Sequence, residues 1–197
     1  MFEDTFEENG HVGLRSCEDE ILVPAIYDDL LYNSDPSQPL PARKSNRWGL
    51  VLPDGKGTPV TGFDFDNMFF VNRLNLFRVF VDGKKNLLTL EGKLLFPCWA
   101  SAMEIREELD YMSLTVGEKL GLFFFSEKYF IPAEYDEMRT ARGVEDASPD
   151  IYLRQDAMVF RVVESEKRME ELKELSAWEA LAPDEDICPV DVPVDFC

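Results

Sequence analysis

Six carboxylates stand in three closely spaced sets along this chain of 197 residues: Asp28 with Asp29, Asp64 with Asp66, and Asp136 with Glu137. Paired carboxylates can act as acid and base on a glycosidic bond, or supply oxygen ligands to calcium. Each set lies beside an aromatic residue, Tyr27, Phe65 or Tyr135. The sets also recur with a longer pattern in the chain, whereas a catalytic constellation is usually built once, from unlike positions. The copied acids therefore read first as turn and surface features, and as candidate partner-binding residues. A single histidine, His11, argues against a zinc site or a Cys–His nucleophile pair and reads as a surface residue. Cys17, Cys98, Cys188 and Cys197 show no metal-finger spacing and read as reduced thiols of a cytoplasmic protein. No phosphate-binding loop, dinucleotide fingerprint or nucleophile elbow is present. The expectation is a non-enzymatic protein with no catalytic residue, no cofactor and no metal.

The acids are placed by a repeating unit. Residues 119–138 read KLGLFFFSEKYFIPAEYDEM: an apolar run, a polar turn, a second apolar run with a proline, then aromatic–Asp. Residues 13–30, 49–68 and 86–105 follow the same order. Gly13, Gly49, Asn86 and Gly121 share one slot, at spacings of 36, 37 and 35 residues, and Pro24, Pro59, Pro97 and Pro132 follow ten or eleven residues later. A period of this size marks a supersecondary unit whose neighbours bury a face that none could bury alone. PDGKG (53–57), DGKK (82–85) and EGK (91–93) are hairpin turn signals.

The spacing predicts an all-β repeat array of four hairpin-plus-strand units, near 13–47, 48–84, 85–118 and 119–163, within a domain covering 1–163. The array would be solenoid-like, or close into a barrel- or propeller-like sheet. Phe123, Phe124 and Phe125 read as core packing between units. Residues 165–182 are rich in helix formers, with Met169, Leu172, Leu175, Trp178 and Leu181 as an apolar band. They predict a C-terminal α-helix that caps the last unit, followed by an extended acidic, proline-rich tail; residues 164–197 belong to the same domain.

The formal net charge is −19 and the pI about 4.3. Nine acids against one arginine give −8 in residues 1–30, and eleven acids against three bases give −8 in residues 164–197. Such a field repels nucleic acid and anionic membrane and attracts basic proteins. No apolar run approaches the ~18 residues that span a bilayer, and the acidic start has no secretory-signal pattern. The charge thus points to a basic protein partner; acidity that serves solubility alone is the other reading.

Trp48–Gly49, the DGK and EGK turns, a proline ahead of Tyr/Phe–Asp and a closing strand ending in a charged turn together resemble the WG (Trp-Gly) β-repeat family, over roughly residues 13–163. The Trp-Gly pair is intact in the second unit alone; the others have Val12–Gly13, Lys85–Asn86 and Leu120–Gly121. The resemblance implies an all-β repeat scaffold, mostly bacterial, with no common enzymatic activity and with some members associated with toxin–immunity loci. On that basis the chain is expected to be an immunity-type protein that neutralises a basic toxin domain. The competing expectation, from a different class, is a carbohydrate-active or calcium-dependent protein using the repeated Asp and Glu positions.

Overall fold

Two-residue connections with both residues left-handed bend the chain back on itself at Asn9–Gly10, Ser45–Asn46 and Asp82–Gly83 (φ between 51° and 78°). That twist matches the twist of paired strands, so each connection closes a tight antiparallel hairpin. The structure, a computed structural model, describes residues 4–31, 35, 37–106, 109–141, 150–172 and 178. Among them seventeen strands form five small antiparallel sheets, each built from strands in chain order. The protein is all-β, and the strands lie in separate sheets rather than in one closed barrel.

The chain divides into two compact units, Met1–Ala102 and Met103–Cys197. The first holds three sheets. They are β1 (Asp4–Glu8), β2 (His11–Arg15) and β3 (Ile21–Tyr27); β4 (Asp29–Leu30), β5 (Leu40–Lys44) and β6 (Arg47–Val51); and β7 (Asn67–Val71), β8 (Leu76–Val81) and β9 (Lys84–Leu88). From the unit boundary onward come β10 (Ala102–Arg106), β11 (Tyr111–Val116), β12 (Lys119–Phe124) and β13 (Tyr129–Tyr135). The last sheet is β14 (Glu137–Ala141), β15 (Asp150–Gln155), β16 (Met158–Val163) and β17 (Arg168–Leu172). Three of the four sheet boundaries fall beside an aromatic–Asp step, at Tyr27–Asp28, Phe65–Asp66 and Tyr135–Asp136, and each of the four expected spans straddles two sheets.

The residues sharing the slot sit third from the hairpin turn on β2, β6, β9 and β12. On β12 a methyl group at Gly121 would stand 2.7 Å from the Ile131 carbonyl oxygen and 2.8 Å from the Ala133 nitrogen. The cause is a bulge: Leu120 faces Tyr135 but Leu122 faces Ile131, leaving Pro132, Ala133 and Glu134 to arch over the glycine. β2 repeats the device, with Val12 facing Tyr27, Leu14 facing Val23, and Ala25 pressed against Gly13. On β9 the slot holds the buried side chain of Asn86 instead. Its amide donates to the carbonyls of Phe96 (3.0 Å) and Cys98 (2.9 Å), while its oxygen accepts from the N–H groups of Leu87 and Phe96. On β16 the same place holds Phe160, and there the ladder to β17 runs without a bulge.

Within each unit the cores are interleaved between successive sheets. In the first unit Leu14, Val23, Tyr27, Leu30, Leu40 and Val51 pack the first sheet on the second. Trp48, at 8% exposure, packs with Leu50, Phe65, Met68, Phe77, Val79 and Leu88 between the second and third. The PDGKG turn is docked on the first sheet, where the Gly55 N–H donates to the Leu22 carbonyl and the Tyr27 hydroxyl to the Gly57 carbonyl (2.7 Å). In the second unit Tyr111, Leu122, Phe124, Ile131, Tyr135 and Leu153 form one cluster. Phe123 and Phe124 are buried and Phe125 partly so, as core packing requires.

The expected helix over 165–182 does not begin as one. Glu164–Glu166 is a short 3-10 turn, Lys167 is left-handed (φ 50°), and β17 follows, Met169 facing Val162 across the ladder. Helix-forming side chains here yield to the unpaired edge of β16, since local propensity is a weak force beside a sheet ladder. Trp178 is helical; residues 173–177 and 179–197, the remainder of the expected helix and the tail, lie outside the described residues.

Candidate functional site

Asp28, Asp66 and Asp136 do the same job in three places. Each follows an aromatic residue and donates its N–H to a strand of the next sheet: Asp28 to the Arg43 carbonyl (2.8 Å), Asp66 to Phe80 (2.8 Å), Asp136 to Arg154 (2.7 Å). Its carboxylate accepts the N–H of the left-handed residue in the hairpin turn beyond that strand. The donors are Asn46 (3.5 Å), Asp82 (2.5 Å) and Asp156 (2.7 Å). The other carboxylate oxygen meets a cation or histidine at the start of the preceding sheet's slot-bearing strand: His11 for Asp28 (3.8 Å), Arg47 for Asp66 and Lys119 for Asp136. Asp110 makes a related tie, accepting the Ser126 N–H at 2.9 Å. The acids thus fasten hairpin turns to the chain that enters them.

The second acid of two sets has another task. Asp29 faces Arg43 across β4–β5 (3.4 Å), and Glu137 faces Arg154 across β14–β15 (2.9 Å). Glu137 also takes both Nε and Nη2 of Arg139. In the equivalent place Asn67 accepts the N–H of Met68, as Asp29 accepts that of Leu30. Asp64 stands outside this scheme, exposed beside Gly62. The six predicted residues therefore do not converge; they are distributed along successive sheets.

Their electrostatics follow from these partners. Lys119, with the Asp156 N–H, holds the Asp136 carboxyl below its usual range, and Asp136 in turn raises the Lys119 ammonium. Carboxylates held ionised are poor general acids near neutrality and good acceptors for cationic groups. Asp28, Asp66 and Asp136 keep 38, 39 and 33% of their side-chain surface exposed, so a partner can still reach them.

Asp66 also lines a pocket of about 530 Å3 in the first unit, with Arg43, Asn46, Arg47, Trp48 and Asn67. The Arg43 guanidinium lies 5.7 Å from the Trp48 ring centre, a cation–π distance. A second pocket, of about 500 Å3, lies in the second unit among Phe124, Val162, Asp150, Arg161, Arg168 and Glu170. Its arginines are already engaged, Arg161 by Asp150 (2.7 Å) and Arg168 by Glu166 and Glu170. Among the described residues no group of three His, Cys, Asp or Glu side chains is arranged to hold a metal ion, and no helix is long and apolar enough to cross a membrane.

The first sheet carries an acidic surface. Asp4, Glu7, Glu8, Glu18, Asp19 and Glu20 are all exposed there. The neighbouring cation, Arg15, lies over the Phe6 ring (4.9 Å) and is bonded to Asp19. In the sequence His11 reads only as a surface residue, and Arg47 and Lys119 do not stand out as partners. A signal was available: each stands two residues before its slot residue, as does Lys84 before Asn86.

No family model and no curated protein matches the sequence. Among solved structures, the chain is similar to a eukaryotic initiation factor (TM-score 0.42, 9% identity), covering 88% of this chain and 50% of that one. It is also similar to Hsv2p of Kluyveromyces lactis (0.36, 11%, 80% and 57%) and to KlHsv2 with loop 6CD replaced by a Gly-Ser linker (0.32, 10%, 81% and 62%). The chain thus spans about half to three-fifths of the length of those chains. Likeness at these scores carries no argument about fold or activity.

Proposed function

We propose that the chain is a non-enzymatic protein-binding module, a scaffold of repeated β units whose acidic first sheet receives a basic protein partner in the cytoplasm. The observation that carries this reading is the set of exposed carboxylates on residues 4–20, whose one arginine is internally committed. Long-range attraction to such a surface speeds encounter before contact. The resemblance of the Trp48–Gly49 unit to WG-repeat proteins supplies the partner class: a basic toxin domain held inactive by occlusion.

The reading is tested by capturing the partner with the full chain and measuring its association rate against salt. The rate is expected to fall steeply between low and physiological ionic strength, and to fall further in a Glu18→Lys/Glu20→Lys double variant. A rate flat in salt and indifferent to the charge reversal would overturn the reading and leave solubility as the role of the acidity.

A further inference from the structure

Among the described residues, the first sheet has no strand on the outer side of β1. β6, β9 and β12, which carry the slot residues Gly49, Asn86 and Gly121, each stand third in their sheets. β2, which carries Gly13, stands second. The strands that open the other sheets, β4, β7, β10 and β14, have no counterpart beside β1 among the described residues. Among the described residues the outer edge of β1 is therefore an unpaired backbone row. Glu8 and His11 flank the two-residue turn and form the closing pair of the hairpin. Hydrogen bonding alternates along an antiparallel ladder, so Phe6 and Asp4 also bond inward, and the N–H and C=O groups of Thr5 and Glu7 point away from β2. The side chains at this edge, Asp4, Thr5, Glu7 and Glu8, are exposed.

We propose that this edge takes an extended, lysine- or arginine-bearing segment of a partner protein as an added antiparallel strand, in the position that β4, β7 and β10 hold in their own sheets. Strand addition draws affinity from main-chain bonds and specificity from the flanking side chains. Here three carboxylates in a five-residue strand select a cationic segment. They also disfavour a second copy of this chain, because two such edges side by side would oppose like charges directly. The inference rests on the acidic-surface reading above and adds to it the place and mode of contact.

The test uses the full chain and two labelled peptides, one alternating lysine and threonine and a twin N-methylated at every second residue, which keeps the charge and removes the ladder donors. The plain peptide is expected to bind, to slow amide exchange at Thr5 and Glu7, and to bind about tenfold or more tightly than its twin, as the loss of a few hydrogen bonds requires. Thr5→Pro, which deletes an outward N–H and no bond to β2, is expected to weaken the plain peptide similarly. Equal binding of the two peptides, or unchanged exchange at Thr5 and Glu7, would overturn strand addition; if that equal binding is salt-sensitive, the acidic-surface reading survives. Absence of binding by either peptide also overturns strand addition, and the partner's salt dependence then judges the broader reading separately.

Discussion

Asn86 shows how one residue can hold a loop in place. It is the buried polar side chain of the described core, at 0% exposure, and its amide group meets four backbone partners. Asn86→Leu keeps the branched outline, adds some volume, and strands those partners away from water. The expected loss is about 2 kcal/mol or more, given the cost of leaving buried donors and acceptors unmade; urea unfolding measures it, and an unchanged midpoint would mean that residues 94–100 close without the amide. Asp54 acts at a turn instead. Its carboxylate bonds the Thr58 hydroxyl and the N–H groups of Thr58 and Lys56, which pulls its pKa from the ordinary 3.8 down to about 2. A depressed carboxyl stabilises the fold fully above its unfolded pKa, and that contribution disappears as pH falls through the folded one. Thermal midpoints of the wild type should therefore drop more steeply than those of Asp54→Asn between pH 3.8 and about 2; parallel curves would show the turn bonds to be dispensable.

At the scale of elements, the aspartate that ties a hairpin turn is the recurring part. Asp136→Ala should leave the strands in place while freeing the Asp156 N–H, so faster amide exchange at Asp156 and its turn is the expected result, with β12 unaffected. Exchange unchanged at Asp156 would mean that the turn holds its shape by its own backbone. How far such parts are legible in the sequence differs from one to the next. The Asp82–Gly83 turn and the slot could be read because they are local: Asp–Gly is turn chemistry, and Gly121 must accommodate a bulge. The sheet boundaries were less legible, since Tyr135–Asp136 looks like the middle of a unit until the Asp136 N–H is seen bonded to Arg154 in the next sheet. The pairing of Lys119 with Asp136 joins residues 17 apart and depends on which strands are neighbours. β17 was hidden because Arg168–Leu172 carries helix-forming residues, and the edge it completes lies on another strand. The acids were found, but their roles in turns could be seen only with their partners in place.

For the molecule as a whole, the last sheet is finished by the segment that follows residue 163. β17 covers the edge of β16, and Trp178, 4% exposed, lies with its ring 4.4 Å from the Arg139 guanidinium, which also donates to the Trp178 carbonyl (2.8 Å). Removing residues 164–197 should expose Val159 and Val162 along an unpaired edge and cause aggregation. A truncated chain that remained monomeric and equally stable by light scattering and thermal unfolding would show that the edge needs no cover. The order of strands has a consequence of a different kind. Every sheet is closed by one uninterrupted stretch, the first by residues 4–27 and the last by residues 137–172. A chain leaving the ribosome can therefore complete each sheet before the next has been synthesised, with loop closures that remain short throughout. Pairing between strands adjacent in sequence limits how long any hydrophobic strand waits exposed during translation.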